Sequence, residues 1–127
     1  NTPPERLALK DPSLPRFEID IVEAHYPREV AMNLHNWQGK HTGSGKKHGA
    51  EADLSQDFHV YAFEWTPKEL IWYFDGKKIR TLANTLCHAE QEVLLSTKVA
   101  PFAGKASAAL DGKSMDVDYV RIYRKAE

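Results

Sequence analysis

Three carboxylates fall within six residues, Glu18-Ile-Asp-Ile-Val-Glu23, and the residues between them are all strand formers. A regular strand sends alternate side chains to opposite faces, which would leave Glu18, Asp20 and Val22 on one face and Ile19, Ile21 and Glu23 on the other. Glu23 breaks that alternation. One extra residue, a bulge at Ile21 or Val22, returns Glu23 to the face of Glu18 and Asp20, and bulges commonly re-aim side chains in this way. Three acids on one face repel one another and add nothing to packing, so the row suits a chemical task. Two carboxyl groups about 5 to 5.5 Å apart can attack an acetal carbon and protonate its leaving oxygen. The alternative use of such a row is a polar strand face whose acids meet lysines on a neighbouring strand.

The elements that must hold this row are strands. Residues 58–76 read as strand, tight turn and strand, closed by an Asp75-Gly76 hairpin turn. Residues 115–123 alternate as a last strand, with Val117, Tyr119, Arg121 and Tyr123 on one face. Residues 93–99, Val-Leu-Leu-Ser-Thr-Lys-Val, read as a central strand whose single charge, Lys98, reaches a cleft or snorkels to water. Residues 30–37 also alternate and place Asn33, His35 and Trp37 on one face, where a ring can stack on a pyranose and an imidazole or amide can hydrogen-bond its hydroxyls. Asn33, His35 and Trp37 are candidate substrate contacts on that ground, as is Tyr26, just after Glu23; the plain alternative is an ordinary sheet face with Trp37 in the core. Residues 39–49, rich in Gly, Lys and His, lack hydrophobic periodicity and read as a mobile loop; their positive charge suits a sulfated galactan, although short charge runs are commonly plain solvated surface.

The hexapeptide, the 58–76 block and the closing Met115-Asp-Val-Asp-Tyr-Val-Arg-Ile-Tyr123, in this order and spacing, resemble glycoside hydrolase family 16, the laminarinase, lichenase, agarase and carrageenase group. The resemblance implies an all-β fold, an antiparallel β-sandwich of the jelly-roll, concanavalin A-like kind. It implies Glu18 as nucleophile, Glu23 as general acid and base, and Asp20 as the residue that tunes the pair. It further implies a retaining endo-β-glycanase that hydrolyses β-1,3 or β-1,3/1,4 glucan, or a related galactan, by double displacement. A structural calcium on the convex face, with Asp118 as the matching ligand, belongs to the same expectation; no cofactor is expected for catalysis. In the family a run of strands precedes the hexapeptide, whereas here residues 1–16, with four of the seven prolines, read as a loop-like segment ahead of a partial sandwich over residues 17–127. The chain thus resembles the C-terminal half of such a domain, and its open sheet edges call for a missing N-terminal half or a homo-oligomer.

Composition sets the outer bounds. With 127 residues, 42% of them hydrophobic, and a formal net charge of −1, the chain is long enough for one core and lacks the basic excess of a nucleic-acid binder. No apolar run is long enough to span a membrane. The opening Asn1-Thr-Pro-Pro has no apolar leader, as in a mature secreted or periplasmic protein. The single cysteine, Cys87, says nothing about redox compartment, and the six histidines lack zinc-site spacing. The polysaccharide hydrolase has one rival reading: a carbohydrate-binding, lectin-like sandwich or an inactive truncated hydrolase, in which sugar recognition outlives turnover.

Overall fold

The computed structural model describes residues 16–125, except for the side chains of His25 and Tyr26; the expected N-terminal loop, residues 1–15 above all, lies outside the described residues. The chain divides into two compact units, Asn1–Glu92 and Val93–Glu127.

The first unit is all-β. Strands β1 (Phe17–Tyr26), β2 (Glu29–Asn36) and β3 (Thr42–Gly49) form one antiparallel sheet in that order, and β4 (Tyr61–Trp65), β5 (Glu69–Phe74) and β6 (Lys77–Ala83) form a second. The turns follow from their residues. Asp75 and Gly76 take positive φ values of 47° and 76°, the dihedrals a two-residue hairpin needs, and the Asp75 carboxylate accepts from the Val60 amide at 2.8 Å. Between β4 and β5 the Thr66 hydroxyl accepts from the amides of Lys68 and Glu69, which closes the tight turn expected there.

The two sheets share one apolar core. Phe17, Val30 and Met32 come from the first sheet, Leu70, Trp72, Phe74 and Ile79 from the second, and Cys87 from the chain beyond β6. Met32, Leu70 and Trp72 are completely buried, and each such side chain contributes roughly 1.5–3 kcal/mol. Polar clasps cross between the sheets as well. Arg80 donates to the Met32 carbonyl at 2.6 Å and to the Ser44 carbonyl at 2.8 Å while its guanidinium lies over the Trp72 ring. Lys46 donates to the Ile79 carbonyl at 2.9 Å, and the Trp72 indole donates to the Asp20 carbonyl at 3.1 Å. Buried donors thus meet backbone acceptors of the opposite sheet.

Residues 39–49 are not the mobile loop their composition suggests. Only residues 37–41 turn; Thr42–Gly49 pairs along its whole length with β2. A continuous ladder outweighs the poor strand propensity of glycine and lysine, and Lys46 and Lys47 have partners in the Ile79 carbonyl and Glu29.

The Val93–Glu127 unit departs from expectation in the other direction. Residues 93–99 and 115–123 have strand-forming composition but no strand, and the regular elements are two short 3-10 turns, Pro101–Ala103 and Ala108–Leu110. A strand needs a ladder, and no neighbour pairs with these segments among the described residues; Ile122 and Tyr123 are each 80% exposed. Among the described residues no helix is long and apolar enough to cross a membrane.

Candidate active site

The geometry of the acid row is set by the β1–β2 register. Glu18 pairs with His35 and Asp20 with Asn33, but Glu23 pairs with Ala31, so three steps along β1 match two along β2. The extra residue lies at Ile21 and Val22, where the bulge was expected. Odd-numbered positions of β2 share a face, so Glu18, Asp20 and Glu23 lie on one face with Ala31, Asn33 and His35.

The three carboxyl groups differ in surroundings. Glu18 is exposed and accepts a hydrogen bond from the Trp37 indole at 2.8 Å. Asp20 is half-buried, hydrogen-bonds to Glu18, and its Oδ2 lies 3.2 Å from His35 Nε2. Glu23 is half-buried and accepts a short hydrogen bond from the Asn33 side-chain amide. Burial foremost, then the charges of Glu18 and Glu23 and the hydrogen bond to Glu18, push the Asp20 carboxyl up from 3.8 to about 7. The middle acid of the row therefore holds its proton to a higher pH than an ordinary aspartate.

A ring cluster flanks the row. His35 Nδ1 lies 3.0 Å from His41 Nε2, and the Trp37 and His41 rings stack with centroids 4.0 Å apart. Trp37 stays 45% exposed. Its indole N–H is engaged by Glu18 and one ring face is covered by His41, which limits the sugar-stacking area expected of it. Asn33 likewise spends an amide N–H on Glu23 rather than leaving it for a substrate. Across β3, Gly43 and Gly45 sit opposite His35 and Asn33 and leave both side chains room to lie against the strand.

Six of the eight residues expected from sequence gather here: Glu18, Asp20, Glu23, Asn33, His35 and Trp37. Tyr26 ends β1 two residues beyond Ala24, and its side chain lies outside the described residues. Asp118 belongs to the Val93–Glu127 unit and is exposed; no group of three or more His, Cys, Asp or Glu that could hold a metal exists among the described residues. His41, Gly43 and Gly45 were missed because residues 39–49 read as a loop. The two-residue spacing of Gly43 and Gly45, which places both on one face of a strand, was the available signal.

The arrangement offers an exposed carboxylate oriented by an indole, a proton-bearing acid beside it, and a second glutamate held by an amide. Those are the groups needed to attack an acetal carbon and to deliver a proton to the departing oxygen. The family profile for glycosyl hydrolases family 16 matches residues 9–121. The chain is 32% identical over 112 residues to the endo-1,3-1,4-beta-glycanase EglC of Rhizobium meliloti, an alignment covering 84% of this chain and 23% of that protein. It is 44% identical over 66 residues to a beta-glucanase of Acetivibrio thermocellus, covering 51% and 19%. It is 27% identical to the kappa-carrageenase of Pseudoalteromonas carrageenovora, covering 95% and 37%. The chain thus spans a fraction of the length of the curated relatives it matches.

Proposed function

The chain belongs to glycosyl hydrolases family 16, and on that footing we propose that it is the part of a retaining endo-β-glycanase that carries the catalytic row. The observation that supports this most is the bulge at Ile21 and Val22, which aligns Glu18, Asp20 and Glu23 on one face opposite His35, Asn33 and Ala31. In the first step the Glu18 carboxylate attacks the anomeric carbon; a glycosyl ester forms, the glycosidic C–O bond breaks, and Glu23 gives its proton to the leaving oxygen. In the second, Glu23 takes a proton from water, the water oxygen attacks the same carbon, and the ester bond breaks to release sugar and free Glu18. Asp20 donates its proton to a hydrogen bond with Glu18, and the Trp37 indole donates to the same carboxylate at Oε2. A carboxylate supplies the nucleophile, a carboxyl group the proton of the first step and water the proton of the second, so the scheme uses no cofactor.

The substrate class follows as part of the proposal. The relatives are named as an endo-1,3-1,4-beta-glycanase, a beta-glucanase and a kappa-carrageenase. Of the cationic side chains in residues 39–49 that would suit a sulfated chain, Lys40, His41, Lys46, Lys47 and His48, Lys46 is engaged by the Ile79 carbonyl, Lys47 by Glu29 and His41 by His35. That favours a neutral β-1,3 or mixed-linkage glucan. A polymer of this kind is met outside the cell membrane, which suits a secreted or periplasmic protein. Segments 93–99 and 115–123 become strands, in this reading, when a second copy or the rest of a longer protein supplies their ladders.

The test is product release from laminarin, lichenan, agarose and κ-carrageenan by purified protein, with Glu18→Gln as control. Oligosaccharides from a glucan, absent in the control, support the proposal. Silence on all four from folded protein would move the weight to a carbohydrate-binding sandwich.

A further inference from the structure

We propose that Gly45 is a positioning residue: the space left by its missing side chain holds the Asn33 amide in the one orientation that engages Glu23. The inference rests on the reading of Glu23 as the general acid and base. Gly45 pairs directly with Asn33 across the β2–β3 ladder, on the face that carries the acid row. A Cβ built at position 45 would lie 2.5 Å from Asn33 Oδ1, a separation real side chains do not tolerate. The amide is planar, so moving Oδ1 moves Nδ2 with it, and Nδ2 is the atom that donates to Glu23. A shift of the Asn33 amide that clears the clash therefore also displaces the donor from Glu23.

The backbone does not require glycine at this position. The positive-φ glycines are Gly39, Gly76, Gly104 and Gly112, so Gly45 has dihedrals that alanine adopts freely. Alanine also suits a strand at least as well as glycine does. What glycine supplies at position 45 is emptiness over Asn33. Gly43 repeats the relation one pair along, where a Cβ would meet His35 Nδ1 at 3.1 Å, a looser fit on the side of Asp20.

A fault confined to the general acid has a signature that a structural fault lacks. Polysaccharide has an alkoxide-like leaving group that needs protonation, whereas a dinitrophenol departs without it. For Gly45→Ala, kcat/KM on the polysaccharide that wild-type protein cleaves should fall on the order of 10²-fold. On the dinitrophenyl glycoside of the matching oligosaccharide, kcat/KM should change by less than about threefold, since that ratio reports the step in which Glu18 attacks. Asn33→Ala should show the same selectivity, and Gly45→Ala added to Asn33→Ala should change nothing further, because the clash has lost its partner. Equal losses on both substrates, additive losses in the double variant, or wild-type activity in folded Gly45→Ala overturn the inference alone. Wild-type protein inert towards both substrates overturns the proposed function and, with it, any catalytic part for Gly45.

Discussion

In the β1–β2–β3 sheet the side chains of the working face are polar and bound to each other: Asp20 to His35 and Glu18, Glu23 to Asn33, Glu18 to Trp37. In the β4–β5–β6 sheet the central strand is a run of buried apolar residues, Leu70, Ile71, Trp72 and Phe74. The first sheet gathers charge that folding alone would disperse, and the second supplies much of the burial that holds the unit together. The two meet where the Trp72 indole reaches the Asp20 carbonyl at the edge of the bulge, so the core tethers the backbone of the acid row. On the proposed function, the acid row and the larger part of the core lie on different sheets, and Asp20 is the residue at which catalysis and stability conflict.

That separation can be broken in order of effect. Glu18→Gln and Glu23→Gln should each lower polysaccharide turnover on the order of 10³-fold or more while leaving the melting temperature within a few degrees of wild type. Assay and calorimetry on the same preparations check this, and activity close to wild type in either variant would end the role assignment. Trp72→Ala should do the reverse, costing about 3–5 kcal/mol in denaturant unfolding through the cavity it leaves. Activity should follow the folded fraction.

Asp20→Asn should move the two properties in opposite directions. The unfolded Asp20 loses its proton near 3.8 and the folded one near 7, so between these values the folded state binds the extra proton and stability falls as pH rises. Above pH 7 the folded state bears the full cost of the ionised, half-buried carboxyl. The asparagine variant escapes it: it should melt several degrees higher than wild type at pH 8 and show no such gain near pH 3.5, while its turnover drops on the order of 10- to 100-fold. A melting difference independent of pH would contradict the charge argument. The smallest effect is expected at Lys46, whose inter-sheet bond to the Ile79 carbonyl is half-buried; Lys46→Met should cost about 1 kcal/mol in unfolding with activity on folded protein unchanged.

The acid row was legible from residues alone because the bulge shows in the sequence as a break in alternation at Glu23. The hairpin turn was legible because Asp75-Gly76 specifies its own dihedrals. Strand β3 was not. Thr42 to Gly49 carries glycines and lysines that score as loop, yet it pairs throughout with β2. Residues 93–99 show the converse, with three valines and leucines in their first three positions and no strand. In both cases the deciding factor was a partner's backbone, which local composition does not encode. The same gap hid Gly45 and His41. Their places beside Asn33 and Trp37 depend on register, and register is a property of two strands.

The central claim, that Glu18 is the nucleophile of a row aligned by the bulge, is tested most directly by trapping the glycosyl ester. Protein incubated with an activated 2-deoxy-2-fluoro glycoside of the oligosaccharide it releases should gain the mass of one fluoro-oligosaccharyl group as the aglycone departs, with peptide mapping placing the label on Glu18 and Glu18→Gln remaining unlabelled. Label on Asp20 or Glu23, or hydrolysis with inverted configuration and no trapped ester, would contradict it.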